Sequence, residues 1–577
     1  MTETQEIVAV QGSVTSVVPA KPREAVQITL DDGRVFEGPV GTTLEEFFRV
    51  AFPNPPAPIV GALVERRLRE LTYPVVRDSV VEPVSMANSD GMRIYRRSLS
   101  FLLVVAVTEL FPGTRLFVDH SFTFGGYFCQ VEGREPFTPE ELEMLERRMR
   151  EIVEQDEPIT KRRIPLDEAQ AMFRALGHDD RLRLLRYRNK NYLTTYKLRA
   201  VTDYFYGYMV PSTSFLRWFK LRHYKPGFIL RFPRRHWPTS LRPFRDYPKL
   251  IAVFREYGEW MDIMDVRDVG GLNEAFESGR LRELVLVAEA LHQQRIAQVA
   301  QQIAQRRDKV RLVLIAGPSS SGKTTFTKRL AVHLLANGIR PKPLGLDDYF
   351  VDRDQTPRDE NGDFDFEALE ALDLELLNAQ LLDLMSGREV TLPHFNFQSG
   401  TREQGSIVQL RGDHVLLVEG IHGLNPRLVP QIPQERIFRI YSSALTQLNI
   451  DMHNRVPTTD TRLIRRIVRD ATYRGYSATD TITRWESVRR GEKRSIFPFQ
   501  EHADVMFNSA LVYELAVLKP FAEPLLHEID QASTQYNEAR RLLAFLEWFR
   551  PCVSDLVPDN SILREFIGGS ILRDFSL

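Results

Sequence analysis

Nine residues, Gly317-Pro318-Ser319-Ser320-Ser321-Gly322-Lys323-Thr324-Thr325, constrain this chain more than any other stretch. They spell Gly-x4-Gly-Lys-Thr, a phosphate-binding loop in which glycines let backbone N–H groups turn inward around an anion. The flanks fit the motif. Arg311–Ala316 is an apolar run suited to a buried parallel strand, and Phe326–Leu335 reads as a helix ended by Asn337-Gly338. Strand, loop and helix in this order aim a helix N-terminus at the phosphate. They require a parallel α/β domain, with Gly317, Ser319, Ser320, Ser321, Gly322, Lys323, Thr324 and Thr325 as the nucleotide-binding set. ATP and Mg²⁺ are the cofactors this set predicts. Lys323 reaches the β- and γ-phosphates, and the Thr324 hydroxyl ligates the metal.

At 577 residues the chain is too long for one core. Its formal net charge of −1 points to no partner class, but the distribution is uneven. Between Arg181 and Leu250 stand 17 Lys/Arg against only Asp203 and Asp246, a local balance of +15. Cys129 and Cys552 provide neither a disulfide framework nor metal-ligand spacing, as expected of reduced thiols in a cytoplasmic protein. Met1-Thr2-Glu3-Thr4 lacks the basic start and apolar stretch of a leader, and no apolar run approaches the ~18 residues of a membrane span. No membrane association is expected.

Patterning divides the chain into five segments. Residues 1–85 alternate in strand fashion around Val26–Leu30 and Val35-Phe36, with Thr42 or Thr43 capping a short helix, and predict a small ubiquitin-like α/β unit. Residues 86–180 carry an apolar helix at Leu99–Leu110 and a charged one at Thr138–Asp156 with Pro139 at its start. Residues 181–308 are basic, aromatic and broken by Pro and Gly. Periodicity assigns no fold there until a helix at about 281–307, with Ile296, Val299, Ala300 and Ile303 on one stripe. Residues 309–530 form the phosphate-loop domain, and 531–577 a helix (Tyr536–Phe549) and tail.

Downstream of the loop, chemistry-bearing residues recur in order. Asp347-Asp348 ends a strand, where a carboxylate serves as base or metal ligand. Val415–Val418 is an apolar strand ending in Glu419, placed to orient Mg²⁺ beside Thr324. Arg462, Arg465/Arg466 and Arg469 follow at helical spacing, with forked donors suited to a polyphosphate.

These motifs resemble the uridine kinase/phosphoribulokinase family over about 309–525. Asp347-Asp348-Tyr349-Phe350 is similar to its Asp-Ser-Phe-Tyr, which implies Asp347 as the base toward a ribose 5′-hydroxyl. Phe364-Asp365-Phe366 is similar to its Phe-Asp-His, which implies Asp365 on the ribose hydroxyls. Asp460–Arg466 resembles the lid over the phosphates, so Arg462 and Arg465 join Lys323 and Asp347 as the implied catalytic set, with Arg469 on the nucleotide. His502-Ala503-Asp504-Val505 resembles a late family strand. The base-recognition stretch corresponds to Pro393–Arg402, whose Phe395 and Arg402 complete the implied substrate set. It departs from the family, with Phe395 in place of a Tyr and Gly400 in place of a His, so a pyrimidine preference is not implied.

The front half resembles threonyl-tRNA synthetases: 25–85 their TGS module, and 90–180 their second domain. The synthetase His-Ser-x-x-His becomes Arg97-Ser98-Leu99-Ser100-Phe101, which leaves no imidazole for editing hydrolysis; His120 is read as a structural histidine. The whole layout is similar to a bacterial group of uridine kinase-related nucleoside kinases. The leading expectation is therefore an ATP:alcohol phosphotransferase acting on a nucleoside, and a homo-oligomer is compatible with it. The alternative is an RNA-associated regulatory protein that uses the loop as a nucleotide switch, with RNA contact through the basic 181–250 stretch. Docking of that stretch on the acidic 345–385 region of the same chain is the preferred reading of its charge.

Overall fold

A computed structural model describes residues 22–359, 362–397, 399–573 and 575. Met1–Thr4, read above for a leader, lies outside them, as does Gln398 of the base-recognition stretch.

The first described unit is a five-stranded mixed sheet in the order Val35–Pro39, Ala25–Leu30, Ser79–Ser85, Ile59–Val64, Arg67–Arg69. Ala25–Leu30 pairs parallel with Ser79–Ser85 and antiparallel with Val35–Pro39. One amphipathic helix, Leu44–Ala51, covers the sheet with Leu44, Phe47, Phe48 and Ala51. Of the two threonines, Thr43 is the cap. It accepts from the Glu46 amide while the Glu46 carboxylate accepts from its own.

The apolar helix of the second unit starts earlier than its pattern suggests, running Ser89–Leu110. Ser98 and Ser100 are tolerated within it because each hydroxyl donates to a carbonyl four residues back. The charged helix is Pro139–Glu154 with Thr138 as cap. The basic stretch without periodicity contributes two strands at one side of a sheet. Lys220–Tyr224 and Gly227–Arg231 extend a sheet begun by Arg115–Phe122 and Gly126–Glu132, in the order 220–224, 227–231, 126–132, 115–122. Short strands separated by Pro and Gly leave no long period to read.

The charge of that stretch is not answered by the acidic 345–385 region. Among the described residues, Arg181 pairs with Asp203, Arg183 with Asp268, Lys190 with Glu547, Arg199 with Glu109 and Arg235 with Glu486. The expected docking partner is therefore replaced by single carboxylates scattered through the fold, which no composition window detects.

The phosphate-loop domain is built on a five-stranded, all-parallel sheet in the order Arg340–Gly345, His414–Glu419, Leu312–Ala316, Ile437–Ser443, Val505–Asn508. Leu312–Ala316 is central and buried throughout. The helix Leu281–Ala304 packs its Ile296, Val299, Ala300 and Ile303 stripe into the same core as the loop helix Lys323–Ala336. Among the described residues no helix is long and apolar enough to cross a membrane.

Candidate active site around the phosphate loop

In a parallel sheet the carboxyl ends of all strands lie on one edge, where ligands bind. Three ends converge here. Leu312–Ala316 feeds the loop, Arg340–Gly345 feeds Leu346-Asp347-Asp348, and His414–Glu419 ends on Glu419, which stands opposite Ile315 and Gly345 in the ladder.

The loop backbone enters the left-handed region at two positions. Ser320 and Gly322 adopt φ of +57° and +78°, turning successive N–H groups inward. A Cβ at Gly317 would collide with the Ser442 carbonyl oxygen of the neighbouring strand. The Ser320 and Ser321 hydroxyls are buried without a hydrogen-bond partner. Thr324 Oγ1 donates to Glu419 Oε1 at 3.0 Å. A backbone nest, orphaned hydroxyls and a hydroxyl–carboxylate pair form a donor set that suits a phosphate and a hard cation together. Burial pushes the Glu419 carboxyl up to about 7 against the pull of Lys323. Lys323 Nζ itself donates to Pro318 O at 3.1 Å.

Asp347 and Asp348 separate by role. Asp348 accepts from the Phe395 amide at 3.3 Å and lies 3.1 Å from His394 Nδ1, so it braces the strand Glu389–Asn396. The Asp347 carboxyl has no hydrogen bond or ion pair among the described residues, and the side chain is exposed toward the cleft. Surrounding protein raises its carboxyl above the usual range, while Lys323 opposes the shift.

The arginine helix, Thr458–Arg474, places its residues differently from the expectation. Arg462 and Arg465 are 1% and 0% exposed and are spent on the protein. Arg462 donates to Ser319 O at 3.0 Å and pairs with Glu492. Arg465 binds Glu514 at 2.6 Å through Nε and Ser509 O at 2.8 Å. In this arrangement both brace the loop from behind, through the Ser319 and Ser320 carbonyls. Arg469 pairs with Asp470, while Arg466 bonds Ser319 Oγ at 2.8 Å. Arg466 and Arg474 are the arginines whose charge is felt by the cleft carboxylates Glu367 and Asp347.

On the acceptor side Asp365 is held by Arg494 at 2.7 Å. Arg402 pairs with Asp373 at 2.8 Å. Phe395 is 2% exposed and packed against Phe350 and Phe397, while Phe397 is 60% exposed. At Gly400, φ is +75° and an added Cβ would meet the Arg353 side chain at 2.7 Å, so a side chain there is strained and displaces Arg353. Upstream, Arg97 donates to Tyr208 O at 2.6 Å and Phe101 is fully buried, so neither position offers a proton-transfer group. His120 is stacked on Phe254 at 3.9 Å with Nδ1 near Asp119, a core histidine.

Three carboxylates that no motif marks complete the site. Glu492, on the helix Ala478–Ser495, accepts from the Ser319 amide at 3.1 Å. Glu367 is pushed up to about 7, by burial first and then by Glu492, and lies within the field of Asp347 and Lys323. Glu565, from the C-terminal tail, accepts from the Thr325 amide and hydroxyl at 3.1 and 3.0 Å, where a helix N-terminus would meet phosphate. The tail is fastened by Lys328, which donates to the Leu572 and Arg573 carbonyls. All three act across long sequence separations and leave no local signature.

Residues 312–516 match the phosphoribulokinase/uridine kinase family. The N-terminal region is similar to threonine–tRNA ligases. That of Polaromonas naphthalenivorans is 33% identical over 199 residues, 34% of this chain and 31% of the ligase. The chain thus spans about a third of the length of these curated relatives. Among solved structures, a putative fructose transport system kinase from Silicibacter is 20% identical over 37% of this chain and 98% of that one, with a TM-score of 0.27. A possible uridine kinase from Bacillus stearothermophilus is 23% identical over the same shares, with a TM-score of 0.25. The C-terminal part thus matches the phosphoribulokinase/uridine kinase family model, and the N-terminal region is similar to part of the threonine–tRNA ligases.

Proposed function

We propose that this protein transfers the γ-phosphoryl group of ATP to an alcohol, the 5′-hydroxyl of a nucleoside. One observation carries the reading. An unpaired cleft carboxyl, Asp347, is set within the field of Lys323 at the edge where Thr324 and Glu419 meet. The loop amides hold the phosphate chain, and Lys323 neutralises charge that develops on the transferring group. Thr324 and Glu419 would hold Mg²⁺, which supplies neutralisation of the phosphate charge when bound. Asp347 accepts the acceptor's proton, and Arg466 and Arg474 add positive charge from the arginine helix. Phosphoryl transfer has a loose transition state, so this positioning and neutralisation supply most of the rate.

A nucleoside acceptor is supported by the rings beside Asp365. Phe366 and Phe397 are 36% and 60% exposed and offer faces for a base. They carry no hydrogen-bonding group, so discrimination among bases should be weak. The front units are read as TGS-like and synthetase-like modules that lack editing chemistry. The test is a panel of nucleosides and simpler alcohols with Mg·ATP: nucleosides should stimulate ADP release, and a panel without any stimulating alcohol would remove the proposal.

Two consequences follow from the site. Glu565 must leave the Thr325 donors when a phosphate arrives. A hydrogen bond to a charged group is worth about 1.5 kcal/mol or more, so Glu565→Ala should lower the KM for ATP about tenfold. An unchanged KM in initial-rate measurements would show that the tail and the nucleotide do not compete.

The second concerns pH. Glu419 titrates near 7 in the fold against an ordinary value of 4.5, so between those values the folded chain holds the extra proton. Its contribution to stability therefore declines as pH rises through that window. A cation needs the carboxylate, so Mg²⁺ affinity should rise with pH through about 7, with more proton release per cation below 7 than above it. Calorimetry in buffers of different ionisation enthalpy reads this release, and Glu419→Gln should abolish it.

A further inference from the structure

Away from the phosphate loop, a cavity of about 300 Å³ lies between the helices Ser89–Leu110 and Ala478–Ser495. Nine cationic side chains line it against two carboxylates, Asp460 and Glu486. Arg93, Arg235 and Arg541 are neutralised by Glu538, Glu486 and Asp460. Six more, Arg96, Arg97, Arg234, Arg455, Arg489 and Lys493, form no ion pair among the described residues. Arg489 Nη1 is buried without any partner.

This arrangement opposes folding. Burial, reinforced by Arg96 and Arg489, pushes Arg234 down to about 9. Burial with its arginine neighbours brings Lys493 down to about 7. Buried like charges repel in a low dielectric, and a fold keeps them where an anion repays the cost. The neighbouring chamber shows what else the anion carries. A second cavity, of about 490 Å³, shares Arg234, His236, Arg489 and Lys493 with the first, and its other walls include Phe124, Trp237, Phe244 and Tyr247. Trp237 is half exposed, and Arg242 lies over its ring at 4.7 Å. A cationic chamber opening into an aromatic one matches a phosphate chain joined to a base. Together the volumes fall within the range of about 300–1,000 Å³ typical of small-molecule sites. That space suits one nucleotide rather than a polynucleotide strand. Neither cavity is lined by a residue of 317–325.

We propose that the joined cavities bind a small, multiply phosphorylated nucleotide, its phosphates against Arg234, Arg489 and Lys493 and its base against Trp237 and Phe244. Arg489 and Lys493 share their helix with Glu492, so the ligand touches the element that also holds the phosphate loop.

The test uses the full chain carrying Lys323→Ala, so that the loop contributes little. ATP, GTP and UTP, inorganic tripolyphosphate and a short single-stranded RNA are titrated calorimetrically at low and raised salt. At least one triphosphate should bind saturably and be displaced by tripolyphosphate. That binding should weaken with salt and fall about tenfold or more with Arg234→Gln plus Arg489→Gln. The same pair should raise the thermal midpoint of the unliganded chain, because repulsion is removed. A purely structural role predicts a lower midpoint. Lys493→Gln is the milder second variant, and a several-fold loss of affinity is expected from it. The proposal is overturned if no triphosphate binds, if the variants leave binding unchanged, if the pair lowers the midpoint, or if RNA alone binds.

Discussion

Lys323→Ala should reduce turnover by a factor on the order of 10²–10⁴ while leaving the fold in place. Among the described residues the Lys323 side chain makes one hydrogen bond, to the Pro318 carbonyl, so the loop does not depend on it for shape. The loop is held instead by Arg462 on Ser319 O, Glu492 on the Ser319 amide, and the exclusion of side chains at Gly317 and Gly322. The charge of Lys323, by contrast, is felt by Asp347, Glu367 and Glu419, the three cleft carboxylates. Removing it leaves these negative groups facing a polyphosphate without their nearest counter-charge. Nucleotide affinity should therefore fall as well, though less than kcat. Near-normal turnover in Lys323→Ala, with an unchanged thermal midpoint, would reject the loop as the reacting site.

How much of this was legible depends on sequence distance. The loop, its strand and its helix are contiguous, so a nine-residue pattern specified their order and chemistry. Thr324 and Glu419 were also legible, because an apolar strand ending in a carboxylate belongs beside a central loop strand in a parallel sheet; the structure puts them 3.0 Å apart. The arginine helix was legible as a helix but not by face. Arg462 and Arg465 lie three apart and point into the core, while Arg466 reaches Ser319 Oγ. Composition cannot tell an arginine spent on a buried glutamate from one held for phosphate, since the partners Glu492 and Glu514 arrive 30 and 49 residues later. The acceptor stretch was legible in position but not in burial: Phe395, near the end of the strand Glu389–Asn396, packs against Phe350, while Phe397, just past the strand, is exposed. The tail glutamate at Thr325 lies 240 residues from its partners and was invisible to any motif.

Asp347→Asn should lower kcat on the order of 10²–10⁴ with little change in nucleotide binding, the range typical of a positioned base. Two neighbours compete for the role. Asp348 is excluded by its bonds to the Phe395 amide and His394, so Asp348→Asn should act through the Glu389–Asn396 strand, on acceptor KM more than on kcat. Glu367 is the sharper rival, because burial and Glu492 hold its carboxyl near 7. Its own neighbourhood argues against it. Gly491 packs onto its side-chain stem and the Glu367 backbone amide donates to Asp365, so this cleft carboxylate is fixed against the helix Ala478–Ser495. The Asp347 carboxyl, by contrast, has no protein partner among the described residues. The pH profile separates the two. Asp347 is raised by the protein around it, so as a base it works only above that raised value, and kcat/KM should climb with pH on the acid limb. In Asp347→Asn the limb should vanish along with the rate. In Glu367→Gln the limb should persist, with kcat close to that of the parent. A Glu367→Gln variant that loses both the rate and the limb, beside an Asp347→Asn variant that keeps them, would transfer the base to Glu367 and leave Asp347 as a charge facing Lys323.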